Sequence, residues 1–184
     1  EPPDLNWRNP EVKKAMWAAV RFWLDLGVDG YRLDAIGTIF EHPDMPDHQG
    51  AMTEELRRAL HHGFPDGSDQ KVVEAWERIY HNQHEQPGVH ELMQELRKVV
   101  DEYPDRMLVG ENSDVRYYGD GNNELHMAFN FPLMKTERLT PAWVRANQHE
   151  RLRALPPGAW PCNTLNNHDT SRHYTRYGDG KNND

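Results

Sequence analysis

One cysteine, Cys162, is all that this 184-residue chain contains, so no disulfide can close within it. That usage is compatible with a reducing cytoplasm, and a cytoplasmic location is the expectation. No apolar run approaches the roughly 20 residues of a membrane span, so no membrane association is expected. Positive charge is scarce as well: 21 Lys and Arg face 30 Asp and Glu, a net charge of -9. Phosphate backbones are bound by clustered Lys and Arg, so no nucleic-acid partner is expected. Mean hydropathy is low at -0.96, and no internal repeat or low-complexity stretch occurs. The chain also lacks an initiating Met. It opens at Glu1-Pro2-Pro3-Asp4 and closes at Asn182-Asn183-Asp184, which reads as an internal stretch of a longer protein.

What the chain does have is a few apolar runs separated by long polar excursions. Asn9-Pro10-Glu11 is a helix start: Asn as N-cap, Pro at the first helical position, Glu in the first turn. Val12, Ala15, Met16, Ala19, Phe22, Trp23 and Leu26 follow at three- and four-residue spacing, and Gly27 closes the helix. A buried strand is expected over 28–36. From 41 to 87 the chain is rich in His, Asp, Gly and Pro, with helical pieces expected around 52–61 and 70–81. So long a connection is usually functional or mobile. Helical spacing returns with Val89, Leu92, Met93, Leu96, Val99 and Val100. Strands are expected at 106–110, 127–131 and 162–166, with a helix over 141–155 ended by Pro156-Pro157-Gly158. This alternation of strands and helices argues an α/β chain of parallel β/α units.

Three of these runs stop at a carboxylate: Gly30-Tyr31-Arg32-Leu33-Asp34, Leu108-Val109-Gly110-Glu111 and Thr164-Leu165-Asn166-Asn167-His168-Asp169. Acids at the C-terminal ends of successive parallel strands are how a β/α barrel displays an active site. Two carboxylic groups with an acidic helper are what cleavage of a glycosidic bond needs. Arg32 lies two residues before Asp34, so both side chains share a strand face, and a fixed cation there keeps Asp34 ionised. Glu111 would need its pKa raised by burial or by neighbouring negative charge. The six Trp and seven Tyr suit a sugar-binding cleft, although core filling is the better account of any single Trp. His61, His62, His81, His84 and His90 form no Cys- or carboxylate-supported ligand set, and no metal site is expected from them.

These segments resemble three of the four signature regions of the α-amylase superfamily, glycoside hydrolase family 13. Gly30-Tyr31-Arg32-Leu33-Asp34-Ala35 is similar to its fourth-strand region, which makes Asp34 the nucleophile. Leu108-Val109-Gly110-Glu111 is similar to the fifth-strand region, which makes Glu111 the acid/base. Asn167-His168-Asp169 is similar to the seventh-strand region, where Asp169 would stabilise the transition state. Arg32, Asn167, His168 and Arg172 would bind substrate or orient the acids. Tyr117-Tyr118-Gly119-Asp120-Gly121 and His126-Met127-Ala128-Phe129-Asn130-Phe131-Pro132-Leu133 resemble the α-glucosidase and trehalose synthase branch. Tyr31 replaces the commoner Phe, and Ser171 stands where the branch often has Pro.

The resemblance implies the central part of a (β/α)8 TIM barrel over 1–184, about strands 4 to 7 with their helices and long loops. The segment 41–87 would be an excursion after the fourth strand. It implies no cofactor; the family's usual loop calcium would lie mostly in a part of the barrel with no counterpart here. Isolated, such a stretch would expose strand edges and helix faces and would be inactive. The implied activity is that of a retaining α-glucosidase acting on α-glucoside oligosaccharides. Ala35 after the nucleophile resembles members that prefer α-1,4 linkages, whereas Val there resembles α-1,6-preferring ones. The alternatives are trehalose synthase, with the same acids, and a non-catalytic relative, which would have lost one or more of them.

Overall fold

A computed structural model describes residues 4–54, 56, 57, 70–136 and 139–181. Helix α1 (Pro10–Asp25) leads into strand β1 (Gly30–Leu33) and a short 3-10 turn (Ile36–Thr38). Helices α2 (Gln70–Tyr80) and α3 (Val89–Val100) precede strand β2 (Met107–Gly110). A 3-10 turn (Val115–Tyr118), strand β3 (Met127–Ala128) and helices α4 (Phe131–Lys135), α5 (Pro141–Ala154) and α6 (His173–Tyr177) complete the order. The three strands form a parallel sheet in chain order, β1-β2-β3. Gly30 pairs with Met107 and Leu33 with Gly110, and Gly110 pairs in turn with Ala128. Gly30 has φ 150°, and a Cβ there would stand 1.9 Å from the Met107 carbonyl oxygen, so only glycine permits this approach of β1 to β2.

Helix α3 packs as its apolar spacing predicts. Val89, Leu92, Met93, Leu96, Val99 and Val100 are all buried, each contributing roughly 1.5–3 kcal/mol if it were fully exposed on unfolding. All but Val99 share one core cluster with Leu108 of β2, Leu24 of α1, Ile36, and the buried pair Tyr117 and Tyr118. Helix α1 begins as expected, with the Asn9 side chain accepting from the Glu11 N–H at 2.9 Å. Its buried face differs from the expected one. Trp17, Val20 and Leu24 face the core, whereas Phe22, Trp23 and Leu26 are 56%, 52% and 65% exposed. Ion pairs run from Lys13 to Glu95 on α3 and from Arg21 to Glu102 just beyond it. That solvent-facing apolar strip predicts self-association: the 184-residue chain expressed alone should sediment as dimers or larger species at micromolar concentration. A monodisperse monomer would contradict this.

The strands are shorter than the sequence suggests. The run expected over 28–36 is a strand only at Gly30–Leu33. Ala35 turns the chain into the left-handed region with φ 41°, and Ile36 is buried from the 3-10 turn instead. The third strand ends at Ala128, because helix α4 starts at Phe131 with Pro132 in its first turn. The strand expected at 162–166 reduces to one parallel bridge, Phe129 to Cys162, with the Asn130 N–H donating to the Cys162 carbonyl at 2.9 Å. A two-residue β3 has no further backbone to offer it. The helix expected around 52–61 lies largely outside the described residues, as do His61 and His62.

Helix α5 has little apolar periodicity and docks through polar groups. Arg151, 7% exposed, donates to the carbonyls of Ser113, Ala128 and Phe129 at 2.5, 2.9 and 3.2 Å. Asn147 accepts from Asn130 at 2.8 Å. These bonds seat α5 behind the ends of β2 and β3 and satisfy buried carbonyls that the short strands leave free. Among the described residues no helix is long and apolar enough to cross a membrane.

Candidate active site

The C-terminal ends of β1 and β2 place their carboxylates side by side. The ladder continues one residue past the strands, with the Glu111 N–H donating to the Leu33 carbonyl at 2.8 Å. Glu111 therefore leaves β2 at the level where Asp34 leaves β1. Arg32 joins them: one guanidinium nitrogen meets Asp34 and the other lies 2.8 Å from Glu111. The Ala35 backbone N–H also points at the Glu111 carboxyl, at 3.4 Å.

The two acids are pushed in opposite directions. A hydrogen bond from the Glu111 carboxyl, reinforced by Arg32, holds Asp34 below the usual carboxylate range. Glu111 is raised, first by burial and then by its hydrogen bond to Asp34, although Arg32 and the Ala35 amide oppose the shift. Its side chain is 14% exposed against 75% for Asp34, which accounts for the asymmetry. Where both effects hold, Asp34 is ionised while Glu111 keeps its proton. The two titrate as one system, so the division belongs to the pair.

The third segment closes on Glu111. The Asn167 amide donates to Glu111 at 3.4 Å and to Asp169 at 3.3 Å. His168 lies 3.5 Å from Asp169, and a charge on its ring would lower Asp34 further. The loop holds its own shape, because the Asp169 N–H returns to the Asn167 side chain at 3.1 Å. Arg172 stands behind it, donating to the Asn167 carbonyl at 3.3 Å. Thus Arg32, Asp34, Glu111, Asn167, His168 and Asp169 are brought together, and Arg172 supports the loop from outside the cleft. Cys162, His81 and His90 lie elsewhere, and among the described residues no three His, Cys, Asp or Glu side chains are placed to hold a metal ion.

A cleft of about 660 Å³ opens beside the acid pair, lined by Glu111, Asn167, Asp169, Trp76, His84 and Phe131 but not by Arg32, Asp34 or His168. Trp76 meets the His84 ring edge-on at 5.1 Å. A flat aromatic beside convergent polar groups suits a sugar ring, which offers an apolar face and a hydroxyl rim. A second, apolar groove lies on the other side of Arg32 and Asp34, between α1 and α3, and offers no hydrogen-bonding groups beyond these two and Trp and Tyr side chains. Trp76 and His84 come from within the long polar excursion; no spacing in the sequence distinguished them from solvated residues. Asn112, next to Glu111, was equally unmarked.

Parallel β/α units whose strand ends gather an arginine-bridged pair of carboxyls and an Asn-His-Asp loop define a glycosidase-type catalytic face. The chain belongs to the alpha-amylase family: the family model for the alpha-amylase catalytic domain matches residues 1–184. It is 36% identical over 188 residues to a probable alpha-glucosidase of Rhizobium meliloti, covering 97% of this chain and 32% of that protein. It is 37% identical over 141 residues to a trehalose synthase/amylase of Mycolicibacterium smegmatis, covering 72% of this chain and 18% of that one. Among solved structures, the alpha-glucosyl transfer enzyme XgtA superposes with a TM-score of 0.74 at 30% identity, over 97% of this chain and 32% of that one. The chain thus spans about a third of the length of the first two full-coverage relatives. An α/β fold with a parallel sheet, matching family barrel enzymes, is established.

Proposed function

We propose that the protein containing this chain is a retaining α-glucosidase, releasing terminal α-1,4-linked glucose from maltose and short malto-oligosaccharides. Residues 1–184 are read as the central portion of its (β/α)8 barrel, about strands 4 to 7, with 41–87 as the excursion after the fourth. One observation carries the reading: a single guanidinium touches both carboxyls, one displaced toward ionisation and the other toward protonation. Two carboxyls close enough to hydrogen-bond to each other leave no room between them for the water that an inverting enzyme would hold, which supports a retaining mechanism.

In this reading a carboxylate oxygen of Asp34 attacks the anomeric carbon. Glu111 gives its proton to the glycosidic oxygen as that bond breaks, and the sugar becomes an ester of Asp34. Glu111, now ionised, takes a proton from water; the water oxygen attacks the anomeric carbon and Asp34 leaves. Asp169 supplies negative charge beside the oxocarbenium-like transition state. Asn167 and His168 hold sugar hydroxyls, Arg172 supports their loop, and Arg32 orients both acids. No cofactor takes part. The single cysteine supports a cytoplasmic enzyme. A non-catalytic role is disfavoured by the presence of all three acids.

The likeness to a trehalose synthase/amylase supports a second reading, in which released glucose rather than water attacks the glucosyl ester. Proton NMR of maltose with the full-length protein separates the two. Alpha-glucose appearing ahead of mutarotation supports the retaining hydrolase; accumulating trehalose supports the mutase; release of β-glucose overturns both.

Arg32 lowers both acids, so its removal raises both. Arg32→Met should shift both limbs of the kcat/KM pH profile upward, since Asp34 then ionises later and Glu111 stays protonated longer. A shift to lower pH would contradict the electrostatic role.

Ala35 sits at φ 41° with its N–H on Glu111. A β-branched side chain resists that conformation, so Ala35→Val should re-aim the amide as well as narrow the cleft. The expected result is a rise of about tenfold in the isomaltose-to-maltose kcat/KM ratio, together with a lower Tm. An unchanged ratio would remove the linkage argument.

A further inference from the structure

Glu85 is an unusual carboxylate for a polar loop. Its side chain is 19% exposed, and its backbone is in the left-handed region at φ 52°, a conformation that non-glycine residues keep only when their surroundings enforce it. The enforcing contacts are visible. The Glu85 N–H donates to the Gly37 carbonyl at 2.7 Å, three residues beyond Asp34. Its Oε1 accepts from the Asn112 amide at 2.9 Å, one residue beyond Glu111, and from the Tyr117 hydroxyl at 2.9 Å. Gly37 is where these partners meet: a Cβ there would lie 2.7 Å from the Glu85 carboxylate and 2.9 Å from the Asn112 amide nitrogen. The other oxygen, Oε2, is buried without a hydrogen bond, its nearest cation being Arg116 at 3.9 Å.

We propose that Glu85 is a positioning residue for the acid pair: it fastens the segment leaving β1 to the segment leaving β2 and so sets where Glu111 stands relative to Asp34. The proposal rests on the glycosidase reading above. Its physical basis is that Asp34 and Glu111 sit on separate strands, so their separation depends on what ties the two exits together. Arg32 and the Ala35 amide hold Glu111 directly; a further tie runs from the Gly37 carbonyl through the Glu85 backbone and carboxylate to Asn112. A bulk-filling role would need no left-handed backbone and no hydrogen-bonded carboxylate.

The test uses the full-length protein with two substrates, maltose and 4-nitrophenyl α-glucoside. The second has a leaving group that departs with little protonation, so its glycosylation step, read as kcat/KM or as the rate of a single-turnover burst, is insensitive to a misplaced acid. Glu85→Ala should lower kcat on maltose by about 10- to 100-fold, since ångström-scale misplacement costs that much, with KM changed far less and a clearly smaller loss on the aryl glucoside. Glu85→Gln should restore most of the rate, because its amide oxygen still accepts from Asn112 and Oε2 has no hydrogen bond to lose. Asn112→Ala cuts the same tie from the other end. It should reproduce the substrate split, and the double variant with Glu85→Ala should be no worse than the poorer single one. This arm serves equally if Glu85→Ala does not fold. Equal losses on both substrates, or full additivity of the two substitutions, would overturn the proposal. Unaffected variants of an active parent would remove it alone, whereas a wild-type parent inert on both sugars would remove the glycosidase reading with it.

Discussion

Asp34→Asn should abolish turnover of maltose by the full-length protein, with kcat falling on the order of 10⁴-fold or more, because an amide cannot form the glucosyl ester. The fold should survive. The Asp34 side chain is 75% exposed and its tie to Arg32 lies in a partly solvated place, where an ion pair contributes about 0–1 kcal/mol. Arg32 also retains Glu111 at 2.8 Å, so no cation is stranded. Thermal denaturation and circular dichroism should therefore be close to wild type while activity is lost. A direct observation complements the kinetics: mass spectrometry of the wild-type enzyme after a fluorosugar inactivator should show a hexosyl-sized mass on the peptide that contains Asp34. Near-normal turnover by the variant, or a label on another acid, would transfer the nucleophile elsewhere.

Much of this site could be read before any coordinates. Asp34 and Glu111 leave adjacent parallel strands, as chain order and apolar patterning alone imply, whereas the run before Asp169 makes only the bridge from Phe129 to Cys162. Helix α3 was equally legible, since its apolar spacing matches its burial residue for residue. Helix α1 was legible in extent but not in orientation. Its residues Phe22, Trp23 and Leu26 carry an apolar stripe as convincing as that of Trp17, Val20 and Leu24, and the choice between them is made by packing against a core assembled from distant parts of the chain. Strand ends were overestimated where apolar residues continue past the ladder. Ile36 is buried from a 3-10 turn, and Phe131 opens a helix. Periodicity reports burial, not hydrogen-bond pattern, so it cannot tell these apart from strand.

What stayed invisible was set by contacts across many residues. Glu85, within a His- and Pro-rich loop, reaches Asn112 and Tyr117 with no local pattern to announce it. The polar seating of α5 through Arg151 is the opposite of the apolar face that sequence reading looks for. A buried charge that satisfies several carbonyls leaves no periodic trace.

Glu111→Gln should separate the two halves of the reaction. The amide keeps the side chain's size, and its one carbonyl oxygen can still accept from Arg32 and the Ala35 N–H, which meet the same carboxyl oxygen, while the bond from Asn167 to the other oxygen is lost; it has no proton of suitable acidity to give. Loss on maltose should be on the order of 10²–10⁴-fold, the usual contribution of a positioned acid. On 4-nitrophenyl α-glucoside, glycosylation of Asp34 needs little acid help, so its rate in a single-turnover burst should fall far less. Hydrolysis of the ester then lacks its base, and the intermediate should accumulate. Azide, which attacks without general-base assistance, should restore turnover and yield α-glucosyl azide. The pH profile gives an independent check. Burial and the bond to Asp34 raise Glu111, so in the wild type activity persists above the ordinary carboxylate range and is lost as pH rises through the Glu111 titration. Asp34, held low, governs the acid limb. The variant should therefore lose the alkaline limb and retain the acid one. Equal losses on both substrates, or an alkaline limb that persists, would assign the proton donor to another residue.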